Sequence, residues 1–326
     1  TYHRVVIVAT VLVVAVSLRL LLFSTRLGVA MRAVVDDRDL ARLNGARPAR
    51  VSMMSWAVGA SLAATAGVLI GTERGSLAPV DLTLLVINAY AAAMFGRLRS
   101  LPRTFVGALI LGLSEAYVTG FVNPNAKIGD FAFLGIKSAV PAIVLFVVLI
   151  FTRQAPLRAG GVQRQREHWA VPTMKMAIWG GIALVVVSWA FAQLIAPTDM
   201  VAVGNGYFLA VVALSLVPLT GYAGQISLAQ MTFAGVGGVT AGVIGADLSL
   251  LGVLVGVSIA ALVGAIIALP ALRLTGIYLA LATAAFALFM SAMVFNQAKL
   301  MPGQNRQVPQ LHIGPLKVVT QQHQLL

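Results

Sequence analysis

Runs of about 20 apolar residues recur along this chain, and they constrain its fold more than any other feature. A backbone in hydrocarbon has no water to bond, so only helices and closed barrels cross it, and a helix needs about 20 residues to do so. Nine segments qualify as candidate spans: 5–23, 51–70, 82–95, 104–121, 133–151, 176–195, 200–219, 250–269 and 277–295. A tenth, 231–244, is short and rich in glycine. This segment and 82–95 fall below the usual length, which predicts broken, tilted or partly re-entrant helices. The expected fold is all-α, a polytopic transmembrane bundle of about ten spans, some short or broken.

Composition narrows the function. The 326 residues are 59% apolar and 10% charged, against about 45–50% and about 25% in soluble domains. Too few charges remain to cover a water-soluble surface, which excludes a soluble enzyme, a disordered tail and a secreted scaffold. With no cysteine, disulfides, thiol catalysis and thiolate metal sites are excluded as well. His3, His168, His312 and His323 fall in four separate polar segments, so neither a metal site nor a base–nucleophile pair is expected. The net charge of +13 is explained by topology. Arg and Lys are retained on the cytoplasmic side of short loops, and alternating the spans puts 15 of the 23 positives on one face and seven on the other, with Arg19 able to snorkel. This bias places the loop after the first span in the cytoplasm and requires 231–244 to cross. Nucleic-acid binding has no support from aromatic interleaving or a motif.

Residues 153–175 are polar and basic and carry Pro156, Gly160, Gly161 and Pro172. They read as a cytoplasmic linker between 1–152, with five spans, and 176–326, with about five.

The loop 28–50 is the most informative stretch. Asp36 or Asp37 suits the N-cap of a short helix running through Leu43, Gly45 suits its C′ position, and Pro48 suits the first turn of the next span. Leu40 and Leu43 share a face with Ala41 beside them, flanked by Arg38 and Arg42. Such a helix serves as a docking element; a basic loop gripping anionic headgroups fits the same residues.

At this loop the chain resembles a family. AMRAVVDDRDLARLNGA from Ala30, followed at once by a span, is similar to the cytoplasmic coupling loop of the H-type permease subunit of branched-chain amino acid ABC importers. The resemblance continues through GVLIG from Gly67 and GALILGLSEA from Gly107. It includes MFGRLRSLP from Met94, although Phe95 and Arg97 stand where the family commonly has glycine. LTGYAGQISLAQ from Leu219 and LPALRLTGIYLALAT from Leu269 resemble the N-terminal part of the M-type partner subunit, with Gln230 where that subunit often has histidine. The resemblance implies an H–M fusion, 1–152 being the C-terminal part of one unit and 176–326 the N-terminal part of the other. By the family pattern, a chain starting at Thr1 is expected to be a fragment with one coupling helix of two.

The segment from Thr220 to Gln230 sets Tyr222, Gln225, Ser227 and Gln230 between apolar stretches, with Gly221 and Gly224 permitting a break. One reading is a discontinuous helix lining the translocation path; the other is an interfacial turn capping two helices. Glu115 lies within a span, where an ionisable group needs a partner or water. It fits the wall of the path or an interhelical hydrogen bond, with Asn88 and Ser114 as candidate partners, better than a lone proton relay. Tyr278, near the inner end of its span, reads as an interfacial anchor.

The resemblance implies a multi-pass permease of the bacterial inner membrane that carries branched-chain or related amino acids. It assigns Asp37, Leu40, Ala41, Leu43 and Gly45 to coupling with cytoplasmic ATPase subunits. A periplasmic or lipid-anchored binding protein would deliver substrate. The chain has no G-x-x-x-x-G-K-[ST] loop, so it is expected to be no enzyme and to bind no cofactor, with ATP on the partner subunits. The rival reading is an ion-coupled transporter or channel for small polar solutes, in which Glu115 alone would carry the coupling.

Overall fold

The apolar runs fold as helices. The computed structural model describes residues 2–75, 79–123, 126–128, 131–133, 135–151, 173–194, 200–244, 248–297, 299–301, 311–313 and 316–317. The expected linker lies almost wholly outside these residues, as do His168, His323 and the end of the 176–195 span.

In chain order the helices are α1 (Tyr2–Ser24), α2 (Arg26–Asp36), α3 (Arg38–Leu43), α4 (Pro48–Arg74), α5 (Pro79–Phe95), α6 (Leu101–Phe121), α7 (Ile136–Phe151), α8 (Met174–Leu194), α9 (Met200–Leu216), α10 (Gln230–Ile244), α11 (Leu250–Ala271) and α12 (Ile277–Phe289). Val217–Tyr222 and Met290–Val294 are π-helical turns that widen the ends of α9 and α12. Two very short strands, Lys127–Ile128 and Phe131–Ala132, pair antiparallel before α7, and Leu248–Ser249 runs parallel to Leu311–Ile313, which turns back onto Leu316–Lys317. Six helices are long and apolar enough to cross a membrane: Val5–Ser24, Pro48–Glu73, Leu101–Phe121, Ala202–Tyr222, Leu251–Ala271 and Ile277–Val294. Leu85–Phe95, Ile136–Phe151 and Met174–Leu184 are shorter apolar helices. At 15 residues α10 extends about 22 Å, less than a ~30 Å hydrocarbon layer.

The described residues group into two compact units. The first contains α1 to α5 and α6 as far as Ser114; the second contains 115–150 and the described residues from 173 onward. In the first, Gly107 of α6 sits so close to α5 that a Cβ there would lie 2.6 Å from the Ala92 carbonyl oxygen. Ala91, Ala92 and Met94 are buried nearby in sequence on α5.

In the second unit, α7 buries Ala139, Ala142, Leu145 and Leu149, the three-to-four spacing of one helix face. α7 and α12 together line an apolar crevice that includes Phe146 and Phe286. Gln297 is 4% exposed and acts as a peptide group would: its Nε2 donates to the carbonyls of Ala132 (2.7 Å) and Met293 (2.6 Å), and its Oε1 accepts from the Ala132 amide (2.9 Å). Gly135 packs directly on the Ala292 carbonyl, leaving no room for a side chain. α7, which precedes the expected linker, thus packs with helices that follow it. Tyr278, expected as an interfacial anchor, is buried instead, on a helix that is buried or partly covered from Tyr278 onward.

Candidate functional site

Pro218 has no N–H and cannot extend the ladder of α9, so the helix widens there. The Ala223 amide reaches back to the Pro218 carbonyl (3.0 Å) and the Gln225 amide to that of Leu219 (2.9 Å). Gly224, at φ +65°, then turns the chain out of the helix, a conformation that glycine adopts without a Cβ clash. Residues 223–229 carry no helical ladder before α10 begins at Gln230. Their backbone groups find other partners. The Leu228 amide donates to Thr283 Oγ1 of α12 (2.9 Å), the Ala229 amide to Ser227 Oγ (3.2 Å), and the Thr220 hydroxyl to the Gln225 carbonyl (3.3 Å). Thr283 in turn donates to the Ala280 carbonyl at 2.9 Å.

This break borders a cavity of about 710 Å³. Ser215, Gln225, Ser227, Gln230 and Thr283 supply its polar lining, while Leu219, Phe233, Ile267 and Leu279 supply apolar wall. The Phe233 ring is steadied by Phe286, their centroids 5.7 Å apart. The lining contains no ionisable side chain, so the cavity offers hydrogen bonds and apolar surface without fixed charge. Three of the five residues expected on a path, Gln225, Ser227 and Gln230, are brought together here. Tyr222 is not among them; it is 86% exposed. Glu115 is half-buried on α6 and is not a lining residue of the cavity; it and Asn88 each have a partner. The Ser114 hydroxyl donates to the Ile110 carbonyl in its own helix (2.8 Å).

The loop 28–50 folds more fully than expected. Asp37 Oδ1 accepts from the amides of Asp39 and Leu40, both at 2.9 Å, capping α3. Gly45, at φ +84°, ends it, with the Gly45 amide bonded to the Arg42 carbonyl and the Ala46 amide to the Ala41 carbonyl, each 3.0 Å. Pro48 opens α4. Leu40 and Leu43 are 57% and 85% exposed, whereas Ala41 is buried. The unexpected element is α2: its residues were read as loop, yet Thr25 caps it by accepting from the Gly28 amide (3.1 Å). Asp37 both ends α2 and starts α3. The two helices border a concavity of about 720 Å³ that reaches Leu40, Ala41 and Gly45.

Beyond α2, sequence reasoning missed Thr283 and Phe233. Thr283 was legible as a lone hydroxyl in the apolar run from Ile277; nothing local paired it with Leu228.

These elements define a multi-pass helical membrane protein with an unwound polar segment at a cavity and a capped helix between two spans. Residues 1–152 match the family model described as branched-chain amino acid transport system / permease component. The chain is similar to the high-affinity branched-chain amino acid transport system permease protein LivH of Escherichia coli K12, 35% identical over 103 residues, 32% of this chain and 33% of that one. It is similar to BraD of Pseudomonas aeruginosa, named likewise, 33% identical over 117 residues, 36% of this chain and 38% of that one. A probable LivH of Methanocaldococcus jannaschii is 28% identical over 152 residues, 47% of this chain and 46% of that one. The chain thus spans from a third to just under half the length of these relatives. No solved structure matches. Residues 1–152 are thus similar to branched-chain amino acid transport permeases over part of their length.

Proposed function

We propose that the chain is a permease subunit of an ATP-binding-cassette importer for branched-chain or related amino acids, in the inner membrane. The observation that carries the reading beyond the family match is the unwound segment 223–229 at an uncharged, part-polar cavity. Hydrogen-bonding groups beside apolar wall suit a zwitterion with an aliphatic side chain, and unwound backbone is tolerated at membrane depth only where it is buried in protein or borders an aqueous cavity. Gln225, Ser227, Gln230 and Thr283 line the path. On this reading 176–326 is an M-type unit joined through 153–175 to the H-type unit 1–152.

The α2–α3 corner is the docking element for cytoplasmic ATPase subunits, which hold the ATP. Leu40 and Leu43 supply apolar contact, while Asp37 and Gly45 fix the helix that carries them. Closure of the ATPases pushes on α3, and rigid spans convert that push into opening of the path. A periplasmic or lipid-anchored binding protein delivers the amino acid.

The test reconstitutes the chain in liposomes with candidate ATPase and binding-protein subunits and follows uptake of labelled leucine, isoleucine and valine. Replacing Leu40 and Leu43 by Asp is expected to abolish ATPase association and uptake together. Unchanged association and binding-protein-stimulated hydrolysis would refute the docking assignment. Ion-driven uptake without ATPase would refute the importer reading itself.

A further inference from the structure

A second concavity of the first unit, about 580 Å³, lies where α1 ends and α6 begins, and the transport reading makes no use of it. One wall is apolar, formed by Leu22 and Phe23 from the last turn of the α1 span and by Leu101, the first residue of the α6 span. Residues at the ends of two spans mark the level where hydrocarbon gives way to headgroups. The polar side carries Arg32 and Arg99. The Arg32 guanidinium lies 5.0 Å from the centroid of the Phe23 ring, and that of Arg19 lies 5.9 Å from the same ring.

Arg99 follows two residues, Arg97 and Leu98, held at φ 51° and 56°, in the left-handed region that residues bearing a Cβ normally avoid. Asp36 is the one acid on the lining, and it forms no ion pair with either arginine. The pocket is therefore net positive, with two guanidinium forks free to meet a phosphate and an apolar wall leading toward the bilayer.

We propose that this pocket holds the headgroup of an anionic phospholipid, its phosphate on Arg32 and Arg99 and its acyl chains along Leu22, Phe23 and Leu101. Basic pockets between spanning helices recognise anionic lipids in this way. The site is a fixed place for one lipid, distinct from diffuse attraction of the basic loops to the leaflet.

The test uses the purified 326-residue chain, delipidated in detergent and titrated with phosphatidylglycerol, with phosphatidylcholine of the same chains, and with inorganic phosphate, bound ligand being counted by native mass spectrometry. Phosphatidylglycerol alone is expected to bind stoichiometrically. R32Q/R99Q is expected to weaken it about 25-fold, about fivefold per arginine. R38Q/R42Q, which removes the same charge from α3, is expected to change it less than about twofold. An equal loss in both variants would show diffuse attraction and overturn the proposal. Equal binding of phosphatidylcholine, or equally tight binding of inorganic phosphate, would overturn the lipid as ligand. On the unmodified chain, phosphatidylglycerol is expected to shield Arg32 and Arg99 selectively from phenylglyoxal. Uniform shielding of all loop arginines would overturn the proposal independently of how the variants fold.

Discussion

Thr283 of α12 holds the unwound segment through the Leu228 amide, and Thr283→Val tests how much that hold is worth. The change keeps the shape of a residue that is 6% exposed and deletes the hydroxyl that accepts from the Leu228 amide at 2.9 Å. The Ala280 carbonyl, which also loses a contact, keeps its place in the helical ladder of α12. The main loss is therefore one partly buried N–H left without an acceptor, which costs about 1–3 kcal/mol. Because 223–229 has no ladder to share the strain, the cost falls on local opening of that segment. Hydrogen exchange by mass spectrometry is expected to show protection falling about 5–150-fold in peptides covering 225–229, with little change in α11. Thr65→Val is the control, since its hydroxyl serves only the Ser61 carbonyl of its own exposed helix face (2.8 Å), and a shift within about 0.5 kcal/mol is expected. Unchanged protection at 225–229 in Thr283→Val would refute the view that α12 holds the break.

Two further outcomes follow from backbone geometry. Gly28→Ala would drive a Cβ onto the carbonyl oxygens of Leu21 and Leu22, so unfolding in detergent is expected to come earlier by about 1–3 kcal/mol; an unchanged midpoint would mean that α2 sits farther from α1. Arg97→Gly relieves a left-handed residue costing about 1–2 kcal/mol, offset in part by about 0.5–1 kcal/mol of chain entropy. The midpoint of thermal unfolding is expected to rise, and a fall would refute strain at this turn.

Legibility in the sequence followed how local the chemistry was. The apolar helices were readable because apolar length is set by the bilayer, although among the described residues six, and not about ten, are long enough to span; Asp37, Gly45 and Pro48 were readable because a cap is decided within a few residues. The break at Gly224 was readable for the same reason, as glycines and amides interrupt an apolar run. α2 escaped notice although Leu27, Ala30, Met31 and Val34 keep the one-three-four-seven spacing of an apolar stripe, because the arginines around them drew the reading toward a loop. Those four are the partly covered residues of α2, with Gly28 buried among them. Thr283 meets Leu228 across 55 residues and Gln297 meets Ala132 across 165. A lone Thr or Gln carries no mark of its partner at such a distance. The conformation of Arg97 and Leu98 was hidden likewise, since neither residue advertises a positive φ.

The amide clamp of Gln297 on Ala132, with the backbone of Gly135 lodged against Ala292, makes α7 and α12 partners by contact and not by tether. If the chain were supplied as two polypeptides parted within 153–172, the end of the first would still find its seat on the second and be drawn into the same particle. Covalent continuity then adds only effective concentration to an association that side chains already secure.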